Sequence, residues 1–458
     1  MPLNPSETRL RSHADQWGLF AVLVACYGLT VVLNWPGHYS VDSIIQLVEG
    51  MTGKAVSYNP PLMGEVLGAI SKMAGHGWFM ALSAGAYFAA IALLLRRYQW
   101  GLYAWIAVAV TTIAVAVNPV TLVYNGTVWK DVFCTNLTLL AFAVSQTTLG
   151  RWRMGASLAI LLAAAAVLVR QQAIIPGISL CTLLAWQFSM NARGTLWRFA
   201  RELVFWLALL GVATTTLGQW VQSRQQSAFA PPSLGFIVAA QFDIAGMLYY
   251  ADDPEAVLGK YFSSPHSVMT AVRESYSPER VDTLVPFYAF SRTLTTQRKL
   301  ELWFDLIKAA PSAYLHHKYS FAQSLLGSRS DGQCLPASLG VATDATDILH
   351  STYDYPFSFP VGFVPAKSSH LDFLNPYVMK SLGIFSGWPW MTILVIALLI
   401  GQARKDALLV ALSVGGLLYA LSFLVVSVAC DFRYIYFAVA TSMVCALLIA
   451  ANTLQRRS

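Results

Sequence analysis

Runs of about twenty apolar residues, separated by short polar connections, recur along this chain of 458 residues. The hydrocarbon core of a bilayer requires roughly 20 apolar residues per spanning helix. Ten runs without interior charge meet that requirement, near 17–35, 78–95, 101–118, 131–149, 154–170, 173–190, 202–221, 383–402, 406–428 and 434–451. They predict an all-α polytopic membrane protein with about ten transmembrane helices. The polar stretches between them divide the chain into an N-terminal membrane core (1–221, seven spans), an external domain (222–382) and three C-terminal spans (383–458).

The pattern outside the spans is also helical. The loop 36–77 holds two short helical stretches, 41–49 and 61–74, the second with Leu62, Val66, Ile70 and Met73 at helical spacing, as expected of elements lying on the membrane surface. The region 222–382 contains aromatic-rich helical stretches (FIVAAQFDIAGMLYY; LELWFDLIKAAPSAYLHHKYSFAQSLLG) and few alternating strand patterns, so it reads as a mainly helical domain. No repeat of 20 to 50 residues and no inverted pair of halves is visible, whereas many secondary transporters are built from such repeats.

Composition agrees with the pattern: hydrophobic residues make up 56% and charged residues 12%, about half the usual charged share. Basic residues sort by side. Arg9, Arg11, Arg96, Arg97, Arg151, Arg153, Arg193, Arg198, Arg201, Arg404, Lys405, Arg456 and Arg457 fall at one set of ends, against Lys54, Lys72, Lys130, Arg170 and Arg433 at the other. Because basic loops are retained in the cytoplasm, both termini are expected there, with 222–382 outside. The net charge of +7 therefore reflects topology, and scattered basic pairs on helix ends do not form a nucleic-acid patch. The N-terminus is too polar for a cleaved signal peptide. Cys26, Cys134, Cys181 and Cys445 fall within apolar runs; Cys334 and Cys430 are external, where they either pair in an oxidising compartment or remain free.

Charge near a bilayer is costly, so ionisable residues at the external ends of spans are the first functional candidates. Asp42, in PGHYSVDSIIQLVEG, starts an interfacial helix; the plain alternative is a carboxylate compensating the helix dipole. Lys130 and Asp131 open the fourth span and can form a local ion pair. Arg170 ends an aliphatic run and can snorkel to lipid phosphates. Asp431, Arg433 and Tyr434 lie between the last two spans, where the acid and the arginine can pair with each other. His316, His317 and Lys318 lie on a helical stretch, and consecutive histidines cannot both face one site. Asp243 sits in an apolar stretch, suited to a sugar hydroxyl or, more simply, to a buried hydrogen bond. Gln46 and Asn59 complete the set in the first loop. An acid among guanidinium and ammonium groups at one depth suits an anionic lipid headgroup and a base, since Arg matches phosphate with its planar fork. His38, His266, His350 and His370 are dispersed and no paired-Cys motif occurs, so no metal is predicted; a divalent cation held by Asp42 and a distant acid is conceivable only.

The ordered runs PGHYSVDSIIQLVEG, YNPPLMGEVL, VWKDVF, VRQQ, PSAYLHHKYSFAQSLLG and DFRYIYF resemble a bacterial branch of the GT-C superfamily of membrane glycosyltransferases over most of the chain. Two motifs depart from that pattern: Asn59-Pro60-Pro61 stands where related sequences often read His-Pro-Pro, and Arg170-Gln171-Gln172 where they read Arg-x-Asn. The resemblance implies a multi-span GT-C core in the bacterial inner membrane with its active site on the periplasmic face. It implies transfer of a sugar, with inversion, from a polyprenyl-phosphate donor to a glycan, glycolipid or protein acceptor of the cell envelope. Asp42 then matches the first-loop general base. Arg433, Arg170, Lys130, His317 and Lys318 would hold the donor phosphate, and Asp131, His316, Asp243, Asp431, Tyr434, Gln46 and Asn59 would contact substrate. The alternatives are a transporter or flippase of a lipid-linked or anionic substrate, and a ligase or polymerase of lipid-linked glycans.

Overall fold

The computed structural model describes residues 5–54, 59–147, 152–190, 195–224, 233–327, 334, 336, 337, 339–341, 370, 371, 373, 374, 376–426 and 428–455. Arg151, Arg193, Arg456, Arg457 and His350, used in the sequence reading, lie outside the described residues, as does most of 328–369 in the expected external domain.

The described chain is helical, with only isolated β-bridges besides. In chain order the helices of the N-terminal part are α1 (Pro5–Asn34), α2 (Val41–Thr52), α3 (Pro61–Ala74), α4 (Gly77–Leu95), α5 (Leu102–Ala116), α6 (Pro119–Asn125), α7 (Lys130–Ser145), α8 (Arg153–Val169), α9 (Ile174–Met190) and α10 (Leu196–Ser223). The middle region holds α11 (Ser233–Tyr250), α12 (Glu255–Leu258), α13 (Pro265–Ser275), α14 (Val285–Ser291), α15 (Thr296–Ala309), α16 (Pro311–Leu325) and α17 (Pro376–Ser381). The chain closes with α18 (Gly387–Arg404), α19 (Ala407–Val426) and α20 (Tyr436–Gln455).

Among the described residues, seven helical segments are long and apolar enough to cross a membrane: Gln16–Asn34, Gly77–Leu95, Gln171–Ser189, Leu196–Ser223, Gly387–Arg404, Ala407–Val426 and Phe432–Gln455. They coincide with seven of the ten apolar runs. The other three runs do not form single helices of that length, for identifiable reasons. Run 101–118 breaks into α5 and α6, bent by 56°, so it raises the number to eight only if the pair counts as one span. The bend has a local cause: Pro119 cannot donate the next helical hydrogen bond, and the Asn118 side chain caps the new helix by accepting from the Val120 amide. Runs 131–149 and 154–170 form α7 and α8, of 16 and 17 residues, short of a full span.

Helix α20, with the 3-10 turn Phe432–Ile435 before it, is the central element, packed by α18, α19, α5 and α7. Around it the outer faces of α1, α10, α18 and α19 expose Phe20, Val24, Val204, Val212, Ile396, Leu399, Leu418 and Leu421. Apolar side chains presented this way match lipid rather than water. In the middle region α11 packs against α13, α15 and α16, and α16 reaches α19.

The two short helices predicted in the first loop form as α2 and α3. They cross almost backbone on backbone at Gly50, Gly64 and Gly68. A Cβ on Gly68 would sit 2.3 Å from the Gly50 carbonyl carbon, and one on Gly50 would lie still closer to the Gly64 carbonyl. Gly64 and Gly68 are one helical turn apart, so they give α3 a flat small-residue face on which α2 rests. That contact fixes the helix whose first turn carries Asp42. Gly68→Ala should therefore destabilise the protein by about 1–3 kcal/mol. Gly28→Ala, in α1 with nothing within 4 Å of the added Cβ, should be neutral or slightly stabilising. Thermal unfolding of the two variants in the same detergent tests the difference.

Candidate functional site

The site begins where the chain leaves α1. The His38 amide donates to the Gly126 carbonyl (2.8 Å) and the Val128 amide to the His38 carbonyl (2.9 Å). Ser43 Oγ donates to the Val128 carbonyl at 2.5 Å, and Trp129 Nε1 to Ser40 Oγ at 2.8 Å. These bonds join 38–43 to 126–129, so Asp42 in the first turn of α2 lies beside the start of α7, which carries Lys130 and Asp131.

The connection between α19 and α20 supplies the opposing charge. Arg433 donates from Nη1 to Asp42 Oδ2 at 2.8 Å, and its Nε lies 3.1 Å from Asp431 Oδ2. Its guanidinium also stands over the rings of Trp129 (5.2 Å) and Tyr434 (5.3 Å). Lys130 Nζ donates to Asn59 Oδ1 at 2.6 Å, tying the loop before α3 to the same place. Arg170 forms an ion pair with Asp131 while lying over Phe423 (4.8 Å) and Tyr434 (4.9 Å). Phe423 and Tyr434 are themselves stacked, with ring centroids 5.4 Å apart.

Exposure separates these groups. A third of the Asp42 side chain remains accessible (33%), and Arg433 keeps 16%. Arg170 and Asp131 are sealed, at 7% and 0%. Burial pushes the Asp42 carboxyl up, but the charges of Arg433, Lys130 and Arg170, with the Arg433 hydrogen bond, outweigh it and hold the group below the ordinary carboxylate range. The arrangement thus offers an ionised, accessible carboxylate, one partly accessible guanidinium, and a buried cation behind them.

The described residues among 334–341 reach both sides. Cys334 and Cys430 form a disulfide bond, attaching it to the connection that bears Asp431 and Arg433. Tyr124 donates to the Pro336 carbonyl (2.6 Å), the Tyr39 amide to the Gly340 carbonyl (2.8 Å), and the Gly340 amide to His38 Nδ1 (3.0 Å). His38 is completed on its other side by Asn34 Oδ1, 2.8 Å from Nε2. The question left open by Cys334 and Cys430 is answered here by a covalent link next to the site. Among the described residues, one group of His, Cys, Asp and Glu side chains is close enough to suit a metal ion, Glu279 with Cys334 and Cys430, and its two sulfurs are joined in that bond.

Asp243, His316, His317 and Lys318 gather elsewhere, between α11 and α16. Asp243 receives Lys318 Nζ (2.6 Å), lies 3.1 Å from His317 Nε2 and accepts from Trp303 Nε1 (3.3 Å). His317 Nδ1 meets the Tyr276 hydroxyl at 2.7 Å, so both ring nitrogens already have protein partners. Burial pushes the His317 pKa down against the raising effect of Asp243, which favours neutral imidazole, with Nε2–H facing the carboxylate and the tyrosine donating to Nδ1. Gly246 makes the approach possible: a Cβ there would collide with the His317 ring. Lys318 also donates to the Val425 carbonyl (2.8 Å) at the end of α19. His316 is exposed and stacks on Tyr250 at 4.2 Å.

The structure therefore brings Asp42, Asn59, Lys130, Asp131, Arg170, Asp431, Arg433 and Tyr434 together. Of the two plain ion-pair readings, Asp431 with Arg433 occurs, whereas Asp131 pairs with Arg170 rather than with its neighbour Lys130. Gln46 is buried and donates from Nε2 to the Asp42 carbonyl (3.1 Å), so it supports the turn that presents the acid. Trp129, Ser40 and Phe423 were not singled out from the sequence, and His38 was weighed only as one of the dispersed histidines. His38 and Ser40 lie in PGHYSVDSIIQLVEG and Trp129 in VWKDVF, but all four act through folded neighbours that no motif reveals. Comparison with protein-family models, with curated proteins and with solved structures finds no match to this chain.

Removing one member of a buried ion pair leaves the other charge uncompensated, at a cost of about 3–5 kcal/mol. Asp131→Asn should therefore lower stability by that amount, while Asp431→Asn, at a partly accessible pair (28% for the acid), should cost about 1 kcal/mol or less. Denaturation midpoints of the purified variants provide the comparison.

Proposed function

We propose that the protein is a GT-C-type membrane glycosyltransferase that moves a sugar from a polyprenyl-phosphate donor to a cell-envelope acceptor, with Asp42 as general base. One observation carries the reading: an accessible carboxylate, held ionised by Arg433, Lys130 and Arg170, at the end of an apolar helical bundle. The short motifs that resemble the superfamily supply most of the residues that meet there.

In this reading the acceptor hydroxyl oxygen attacks the anomeric carbon while its proton passes to Asp42. The bond from that carbon to the phosphate oxygen breaks with its electron pair, so the departing lipid phosphate gains charge and needs cations rather than an acid. Arg433 is the accessible guanidinium for this role, and Lys130 stands beside it. Arg170, sealed against Asp131, contributes its field rather than a direct bond. Arg433 now spends Nη1 on Asp42. A phosphate that draws Arg433 away would free the Asp42 oxygen it holds, so donor binding and readiness of the base are linked. The positive-inside pattern puts this end on the periplasmic side and both termini in the cytoplasm. Ten spans remain compatible if α7, α8 and the bent α5–α6 pair each cross in a thinned or tilted manner.

The bend between α5 and α6 favours a second reading, a transporter or flippase of an anionic lipid-linked substrate, because broken helices at membrane depth are common in transporters. The absence of sequence repeats and the gathering of charge at one end weigh against it.

Labelled sugar transfer from a polyprenyl-phosphate donor in proteoliposomes tests the proposal. Asp42→Asn should reduce kcat by about a hundredfold or more with donor retention preserved, as expected for loss of a general base. Turnover unchanged in Asp42→Asn, or donor flux without transfer, would overturn it. Because the Asp42 pKa is lowered, its base form persists through neutral and mildly acidic pH. No acidic limb due to Asp42 should therefore appear until the pH falls below about 4, the ordinary carboxylate value.

A further inference from the structure

The helices that carry Arg433 at one end carry a different set of charges at the other. There, about 30 Å away along a helix of twenty residues, α18 ends in Arg404 and the chain turns through Lys405, in the left-handed region (φ 55°), into Asp406 and α19. A polar chamber of about 760 Å³ opens at this turn, lined by Arg97, Gln146, Arg404, Lys405, Asp406 and Asn452. Its acid is committed: Asp406 Oδ2 receives Arg97 at 3.3 Å and Asp406 Oδ1 caps α19 through the Leu409 amide at 3.1 Å. Arg97 is spent on that acid; the other two cations are not. Arg404 donates from Nη2 to Thr453 Oγ1 (3.2 Å), but its Nη1 is buried with no hydrogen-bond partner, and the exposed Lys405 ammonium has no protein partner among the described residues.

The chamber leads into an apolar groove, also about 760 Å³, between α9, α18 and α19. The two share Leu183, Trp186, Lys405 and Ala407, so the cations stand at the groove's mouth. The groove follows α9 from Trp186 back to Ile175, and Val414 and Leu418 of α19 form its other wall. Eleven residues of helix rise about 17 Å, close to half of the roughly 30 Å hydrocarbon core, which is the depth of one leaflet. A two-part site of this shape, cationic at the membrane surface and apolar to mid-membrane, matches a phosphate on an acyl chain.

We propose that this chamber and groove bind an anionic phospholipid of the surrounding membrane, its phosphate held by Arg404 and Lys405 and one acyl chain lying along α9 and α19. The occupant is a leaflet lipid rather than a longer polyprenyl chain because the apolar depth is that of a single leaflet. Arg404 supplies the free Nη1, and Lys405 supplies a second, exposed positive charge on the turn. The site is separate from Asp42 and independent of the glycosyltransferase reading.

The test is lipid retention by the full-length protein in detergent, measured by native mass spectrometry during titration with phosphatidylglycerol or with phosphatidylcholine of the same acyl chains. The unaltered protein should prefer phosphatidylglycerol by about tenfold, as expected for two cations near the membrane surface whose neighbouring acid is already paired with Arg97. Arg404→Gln combined with Lys405→Asn should abolish the preference; Asn tolerates the left-handed backbone at 405, so the turn is kept. Val414→Trp, filling the groove, should weaken both lipids while leaving the thermal midpoint unchanged. Equal retention of the two lipids by the unaltered protein, a preference that survives the double substitution, or displacement of phosphatidylglycerol by equimolar inorganic phosphate would each overturn the proposal.

Discussion

The ion pair between Asp42 and Arg433 joins two parts of the chain 391 residues apart, at the end of a bundle whose outer faces suit lipid. An isolated pair of this kind at an accessible position would add little stability. Its importance lies in what must be in place before it can form. Asp42 has to be presented by α2, which depends on the close crossing of Gly50 over Gly64 and Gly68. Arg433 has to be presented by the turn before α20, which depends on Cys430 being linked to Cys334 and on the ring of Trp129 beneath its guanidinium. Gly340 bonds to His38 on one side of the pair and Cys334 is linked to Cys430 on the other.

Behind this pair lies a second one with the opposite character. Arg170 and Asp131 are closed off by Phe423 and Tyr434, and at that depth the attraction between them must offset desolvation of both. Such a pair is weak evidence for stability, but it is consistent with fixing register. Arg170 sets Tyr434, Tyr434 neighbours Arg433, and Arg433 holds the accessible acid. The three ion pairs are therefore graded from sealed to open, and the open end is the part that a substrate can reach without unpacking the helices.

Much of this was legible in the sequence because hydrophobic run length and charge position are local properties. Seven runs became seven apolar helices, both short helices of the first loop formed, the second where the spacing of Leu62, Val66 and Ile70 placed it, and the charged ends that stood out are those that meet. What was not legible depended on three-dimensional partners. Asn118 and Pro119 mark a break, yet the apolar pattern runs through it and reads as one span. Asp131 precedes a long apolar run and follows Lys130, so adjacency suggested the wrong partner; the fold presents Arg170 instead. His317 and Lys318 resembled phosphate ligands by residue type, but Gly246 lets His317 reach Asp243, and that acid gathers both.

That second cluster bears on how the site is held rather than on what it does. Lys318 bonds both to Asp243 and to the last turn of α19, two residues before the connection in which the Val428 carbonyl accepts from the Val281 amide and the Cys430 amide donates to the Glu279 carbonyl. The middle region thus grips the connection between α19 and α20 at consecutive points, from Val425 to Cys430, immediately ahead of Asp431 and Arg433. A neutral His317 suits this task, since a charged imidazole would add repulsion towards Lys318 in the same pocket. His317 favours its neutral form when folded, so its contribution to stability is present above the ordinary histidine pKa of about 6.5 and is lost as the pH falls below it. Acidification therefore acts on the grip through His317, whose neutral form the fold favours, and not through Asp42, whose carboxyl its cations hold low.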